Sequence, residues 1–249
     1  MKVRIVKKHS QEAEEIAKRV ESIGNKYGLE FVDSNEDLII AIGGDGTFLR
    51  AVKEGKPVIG IKAGKKSILL DVPPIEIEET MRRLVKGDYK VEEYPMLQYR
   101  TWKVSGISFN EVGILLERPI TIYGSVSVNS TRILFEGDGV LISTPQGNWS
   151  WGFSITGTFI LGNSNVIQIS FMNLMKSNLK SLIVPIDSKI TIKLENKGIP
   201  QSVQLVSDGE VVAHLRSGED EELFVEKSDK KAIIYRFYEI DPITGVVCY

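Results

Sequence analysis

The chain of 249 residues contains a single cysteine, Cys248, and two histidines, His9 and His214. One thiol excludes an internal disulfide scaffold, and three such residues so far apart cannot supply a Cys/His zinc constellation at ligand spacing. An excess of one charge is also missing: 31 Lys and Arg stand against 33 Asp and Glu, a formal charge of −2. That balance lacks the basic footprint of a dedicated nucleic-acid or membrane-surface binder. No window approaches about 18 uninterrupted apolar residues, and the opening MKVRIVKKHSQEAEE turns acidic before any apolar signal region forms. The expectation is a cytoplasmic protein with neither a membrane nor a nucleic-acid partner. Internal repeats and low-complexity segments are absent as well.

What is present is enough apolar sequence, 42% of residues, to bury a core, and at roughly 150 residues per domain the length fits one or two domains. Ser10 is placed to cap a helix whose first turn carries Glu12, Glu14 and Glu15, acids that suit the positive end of the dipole, and Gly28 suits its end. Ala13, Ile16, Ala17, Val20, Ile23 and Tyr27 recur at helical spacing and predict one buried face. There follow a short apolar piece at Phe31–Val32, the run Leu38–Ile42, a Gly-rich turn, a helical stretch Thr47–Lys53 and the run Val58–Ile61. A further helix is predicted at Ile75–Lys86, introduced by Pro73-Pro74 and stopped by Gly87. This alternation predicts an α/β N-terminal domain with a parallel sheet over residues 1–90.

From residue 91 the apolar period becomes two, as in Val126/Val128, Ile167/Ile169/Phe171 and Ile190/Ile192/Leu194, which predicts an antiparallel β-rich C-terminal domain over 91–249. Its last 18 or so residues, strand-like at Ala232–Ile240, either finish that domain or return to the N-terminal one.

The strongest local signal is Gly43-Gly44-Asp45-Gly46-Thr47, between a buried-type strand and a helix, where backbone N–H groups and the helix dipole can hold phosphate. A carboxylate in the middle of such a turn is electrostatically wasteful unless it binds a cation, takes a proton or orients a hydroxyl, and that tension points to phosphoryl transfer. The competing reading is a tight turn with Asp45 as helix cap. Neither a P-loop nor a GxGxxG pattern is present. In the β half, Asn110-Glu111 ends a predicted turn, Gly106 to Asn110, and pairs an amide with a carboxylate as ribose recognition requires; a solvated strand start is the plain alternative. Gly137-Asp138-Gly139, an apolar run and Ser143-Thr144-Pro145-Gln146-Gly147 read locally as hairpin turn, strand and Pro-Gly turn. His214 reads as a strand residue and the acidic run Glu219–Glu222 as a solvated turn, while Lys65-Lys66 is open between an exposed loop pair and a contact to donor phosphates.

Taken in order and spacing, these segments resemble the NAD kinase family, whose pattern is GGDGT, an Asn-Glu pair, then GDG, an apolar run and STPxGSTAY. Gly87-Asp88-Tyr89 through Met96-Leu97 is similar to the family's linker, and Asp208-Gly209 to its late Asp-Gly. GGDGT alone is shared with lipid kinases; GDG with STPxG makes the resemblance specific. It implies a nucleotide site formed partly by homo-oligomerisation, as a dimer or tetramer. The implied reaction moves a phosphoryl group from ATP or polyphosphate to the 2′-hydroxyl of the adenosine ribose of NAD, with Mg²⁺ accompanying ATP and no metal ligands from the protein. On this resemblance Asp45 is the catalytic residue, Gly43, Gly44 and Thr47 bind phosphate, and Gly46, Asn110, Glu111, Asp138, Ser150 and Trp151 contact substrate.

The chain departs from the pattern in three places, one of them Tyr94, where the pattern has an Arg before Met96-Leu97. STPxGSTAY reads here as STPQGNWSW, with Asn148, Trp149, Ser150 and Trp151 replacing Ser, Thr, Ala and Tyr. Where the pattern has GxNxGxLGFL this chain has Gly60-Ile61-Lys62-Ala63-Gly64-Lys65-Lys66, which lacks the Asn and the Gly-Phe and sets the charge of Lys62 where an amide stood. The departures leave open a nucleotide-binding regulator with weakened catalysis, and GGDGT leaves open a lipid kinase.

Overall fold

The computed structural model describes residues 1–64, 67–161, 164–219 and 222–241. Cys248, the Lys65-Lys66 pair and Asp220-Glu221 of the acidic run lie outside the described residues. In chain order the elements are β1 (Lys2–Lys7), α1 (Gln11–Lys26), β2 (Glu30–Phe31), β3 (Leu38–Gly43), α2 (Asp45–Val52), β4 (Val58–Lys62), α3 (Ile77–Lys86), β5 (Lys90–Arg100), β6 (Ser105–Ser108), β7 (Glu111–Leu116), β8 (Ile122–Val128), β9 (Thr131–Gly137), β10 (Gly139–Ser143), α4 (Trp151–Thr156), β11 (Val166–Met172), β12 (Ser181–Pro185), β13 (Ile190–Leu194), β14 (Ser202–Ser207), β15 (Glu210–Arg216) and β16 (Glu222–Arg236). Contacts divide them into two compact units, Met1–Tyr94 with the chain from Lys231 onward, and Pro95–Lys230.

The first unit is α/β. Its strands lie in the order β2-β1-β3-β4, all parallel, and the C-terminal end of β16 adds a further parallel strand, with Ile234 opposite Val58. Every residue of β3 is buried because both faces of the sheet are covered. On one face Leu38, Ile40 and Ile42 join Ala13 and Val20 of α1 and Ile77 and Met81 of α3 in a single apolar cluster. Helix α2 packs against β3 with Phe48, Leu49 and Val52 buried outside that cluster. The predicted start of α1 is observed: the Ala13 N–H donates to Ser10 Oγ at 3.3 Å. The helix predicted from Ile75 opens instead with a 3₁₀ turn, Pro74–Glu76, and α3 ends at Gly87 with φ +70°.

The second unit is a sandwich of antiparallel sheets. One sheet has the order β12-β11-β10-β7-β14-β15; the other face is built from β8, β9, β13, β5, β6 and the N-terminal part of β16. The period-two residues of both sheets meet in one core that includes Val112, Ile142, Ile169, Phe171, Val126, Ile192 and Leu223. The predicted turn at Gly106–Asn110 is in its first half a strand: β6 pairs with β5, and Gly106 stands opposite Tyr99. The Tyr99 ring lies over Gly106 so closely that a Cβ there would overlap it, so the aromatic ring supplies the packing that glycine lacks. Among the described residues no helix is long and apolar enough to cross a membrane.

Candidate functional site

The first unit contributes Asp45. Strand β3 ends at Gly43, Gly44 is the N-cap of α2, and no side chain caps that helix. Asp45 is its first residue, so the helix starts two residues earlier than the predicted Thr47, and the acid is not the cap. Its carboxylate turns instead to a segment 22 to 24 residues further along. Oδ1 accepts the Ser67 hydroxyl at 2.7 Å, the Leu69 N–H at 3.0 Å and the Ile68 N–H at 3.1 Å. The half-buried carboxylate is therefore held by the turn after β4, at the carboxyl ends of parallel strands, where α/β sheets bind their ligands. Thr47 is buried. Gly46 is exposed, its φ is not positive, and a Cβ there would meet nothing within 4 Å, so the fold itself does not demand glycine at that position.

The turn that holds Asp45 is itself anchored. Arg236 Nη1 donates to the Leu69 carbonyl at 2.6 Å and lies 3.1 Å from Asp71 Oδ1, while Asp71 Oδ2 accepts the N–H groups of Phe237 and Tyr238 at 2.8 and 3.1 Å. Both side chains are almost wholly buried. Neither residue stands out in the sequence; the visible signal is only Asp71 closing an apolar run before Pro73-Pro74.

The second unit brings Asn110, Glu111, Ser143 and Asp208 together. Asp208 and Gly209, with φ +50° and +79°, form the two-residue turn between β14 and β15. That turn aims the Asp208 carboxylate at the start of β7, where it accepts the N–H groups of Phe109, Asn110 and Glu111 at 3.0, 2.7 and 3.3 Å. From the other side the Thr144 hydroxyl donates to the carbonyls of Phe109 and Asn110. Gly147 passes so close to the Asn110 carbonyl oxygen that any Cβ would overlap it. Asn110 is thus fixed through its backbone, which leaves its side chain unconstrained by that role.

Glu111, Ser143 and Gln168 lie in one row across β7, β10 and β11, on the face turned away from the apolar core. Asn110 Oδ1, Glu111 Oε2, Ser143 Oγ and Gln146 Oε1 are buried without a hydrogen-bond partner among the described residues. Orphaned buried polar atoms are uncommon, and four in one neighbourhood mark a place prepared for a polar ligand. Burial, aided by the charge of Asp208, pushes the Glu111 carboxyl up to about 8.

That shift has a consequence for stability. Between the ordinary value of 4.5 and about 8 the folded protein keeps a proton that the unfolded chain has released, so stability falls as pH rises through that window. Glu111→Gln, neutral and of the same shape, is expected to match the wild type near pH 5 and to exceed its Tm by a few degrees (~2–6 °C) at pH 8. Ligand-free thermal unfolding at the two pH values checks this; two curves separated equally at both would contradict it.

The departures from STPxGSTAY have structural tasks. Asn148 is buried, its Nδ2 donates to the Thr158 carbonyl and to Gln168 Oε1, and its Oδ1 accepts the Ile160 N–H at 2.6 Å. Trp149 is buried with Nε1 donating to the Ile160 carbonyl at 2.9 Å. The predicted Pro-Gly turn is observed at Pro145-Gln146, and a 3₁₀ turn, Gly147–Trp149, follows it and leads into α4. The two indoles therefore part: Trp149 belongs to the core, while Trp151 is half-buried beside the exposed Ser150. Asp138 does not join this group. It stands beyond the opposite end of β10, with Oδ2 accepting from Asn173 at 2.7 Å, roughly 17 Å from Ser143 at the usual rise per strand residue. His214 is half-exposed on β15, 3.1 Å from Glu117.

The family model of the ATP-NAD kinase N-terminal domain matches residues 2–89, and that of the ATP-NAD kinase C-terminal domain matches residues 109–237. The chain is 45% identical over 246 residues to an NAD kinase of Sulfurisphaera tokodaii, covering 99% of each, and 44% identical over 247 residues to one of Saccharolobus solfataricus, covering 99% of this chain and 98% of that one. In fold it is similar to yeast NADH kinase complexed with NADH (TM-score 0.85, 18% identity, 99% of this chain and 86% of that one). It is likewise similar to an NAD kinase from Archaeoglobus fulgidus in complex with ATP (TM-score 0.78, 21% identity, 99% and 96%). The GGDGT turn, the Asn-Glu pair and the late Asp-Gly are thus found together with matches to both family domains and with relatives of equal length, and the chain belongs to the NAD kinase family.

Proposed function

We propose that the protein transfers a phosphoryl group from ATP, or from polyphosphate, to the 2′-hydroxyl of the adenosine ribose of NAD, making NADP. The observation that carries this reading is Asp45, a carboxylate fixed at the uncapped N-terminus of α2 beyond the carboxyl end of β3. Asp45 takes the proton of the 2′-hydroxyl, whose oxygen bonds to the γ-phosphorus. The bridging P–O bond breaks, its electrons leave with ADP, and the proton passes from Asp45 to solvent. Gly43, Gly44 and Thr47 offer the helix start to phosphate, and Gly46 leaves open space for close approach. Phosphoryl transfer asks the protein mainly for positioning and charge neutralisation.

In the second unit Asn110 Oδ1 accepts from a ribose hydroxyl. Glu111, protonated at neutral pH, donates as well as accepts. Trp151 offers an aromatic face to a ring, and Ser150 a hydroxyl beside it. Asp138, distant from Asn110 within one chain, is explained if a second copy supplies it, which favours a homo-oligomer. Mg²⁺ arrives on the ATP phosphates as part of the substrate; among the described residues no three His, Cys, Asp or Glu are grouped to hold a metal. The cytoplasm, where both nucleotides are found, is the expected place of action.

The test is an NADP-formation assay with purified protein, Mg²⁺ and either ATP or polyphosphate. NADP accumulating with time supports the reading. Saturable NAD binding by calorimetry without turnover would replace it with a nucleotide-binding regulator, and turnover of a lipid acceptor with a lipid kinase.

A further inference from the structure

We propose that Ser67 is a positioning residue that gives the two oxygens of Asp45 different tasks, Oδ1 to the protein and Oδ2 to the acceptor hydroxyl. The inference rests on the reading of Asp45 as the proton acceptor and names the atom that does the work.

The direction of the Ser67 hydroxyl is fixed by its neighbours. Ser67 Oγ accepts the Leu70 N–H at 3.2 Å and lies 2.7 Å from Asp45 Oδ1. An amide N–H can only donate, so a lone pair of Oγ faces Leu70 and the hydroxyl proton is left for the carboxylate. Oδ1 then receives three donors, from Ser67, Ile68 and Leu69. Among the described residues Oδ2 receives only the distant half of the Ile68 N–H, at 3.3 Å. An oxygen with three donors has no lone pair left for a proton in flight, whereas Oδ2 keeps its own.

One hydroxyl thereby does two things. It closes the Ser67–Leu70 turn that aligns the Ile68 and Leu69 N–H groups, and it adds the shortest donor to the carboxylate. The same turn is held from behind by Arg236 at the Leu69 carbonyl.

Hydrogen bonds to the charged form of an acid favour that form. Loss of the Ser67 hydroxyl is expected to move the acid limb of the kcat profile upward by about half to one pH unit. Below that limb kcat should fall by about three- to tenfold and on the plateau above it hardly at all, with KM for NAD changed less than twofold because Ser67 acts through Asp45. Ser67→Ala, Ser67→Gly and Ser67→Thr, each with Asp45→Asn in parallel, form the experiment. Ala and Gly are expected to shift the limb and Thr to restore it, since threonine keeps the hydroxyl; the glycine variant carries the test if the alanine variant does not fold. An unmoved limb in the hydroxyl-free variants, or a kcat loss that Thr does not repair, overturns the role of Ser67 while an inactive Asp45→Asn leaves Asp45 standing. An active Asp45→Asn overturns both.

Discussion

Replacing Asp45 with asparagine is expected to lower kcat by about 10²- to 10⁴-fold, the usual contribution of a general base, while NAD affinity stays within a few-fold. The geometry makes this a clean substitution. Three donors converge on Oδ1, and an asparagine can present its carbonyl oxygen to all three. Its NH₂ group then occupies the place of Oδ2, where a proton acceptor has become a donor. The turn Ser67–Leu70 keeps its anchor, so the thermal midpoint should hold while chemistry is lost. Turnover and calorimetric binding of NAD, measured on the same preparation, separate the two effects. A variant that retains more than about half of the wild-type kcat would remove Asp45 from the mechanism.

The second large effect is on stability. Arg236→Met is expected to destabilise the protein by about 3–5 kcal/mol, the range for removing one partner of a buried ion pair. Asp71 is wholly buried, and the guanidinium 3.1 Å away is its cationic partner. The two main-chain N–H groups of Phe237 and Tyr238 remain as donors but do not neutralise the charge. Methionine keeps much of the side-chain volume, so the loss reports the stranded Asp71 carboxylate, the unpaired Leu69 carbonyl and the contact of Arg236 Nε with Glu92 Oε2 at 3.2 Å, rather than a cavity. For a chain of this size the loss corresponds to a fall in Tm on the order of 10 °C. Adding Asp71→Asn in the same chain should recover part of it, because a neutral amide costs less to bury unpaired. Denaturant unfolding of the wild type and the two variants decides the matter; a loss below about 1 kcal/mol for Arg236→Met would mean that the pair contributes no more than a surface contact.

The core of each unit was legible in the residues that built it. Leu38–Ile42 is an uninterrupted apolar run because β3 is covered on both faces, and Ala13, Ile16, Ala17 and Val20 share a stripe because α1 is covered on one. The place of the turn that carries Asp45 was equally visible in GGDGT. Gly106 misled because a glycine after a serine reads as a turn, while the Tyr99 ring that completes its strand is contributed by the neighbouring strand. Trp149 and Trp151 could not be told apart by type or spacing. Their roles divide only because the chain winds into a 3₁₀ turn and then a helix there.

By itself the sequence determined the elements, the succession of an α/β unit and an antiparallel one, and the places of the GGDGT turn and the Asn-Glu pair. All of these depend on periodicity and turn chemistry acting over a few residues. Tertiary structure decided how those residues are held: the Asp45 carboxylate by Ser67, Ile68 and Leu69, that turn by Arg236, and Asn110 and Glu111 by the Asp208 carboxylate. Those partners lie between 22 and 167 residues apart along the chain, and no local rule links them. A buried carboxylate takes whichever donors the packed strands bring within about 3 Å, so its partners, and with them its chemistry, are fixed only when the sheets close.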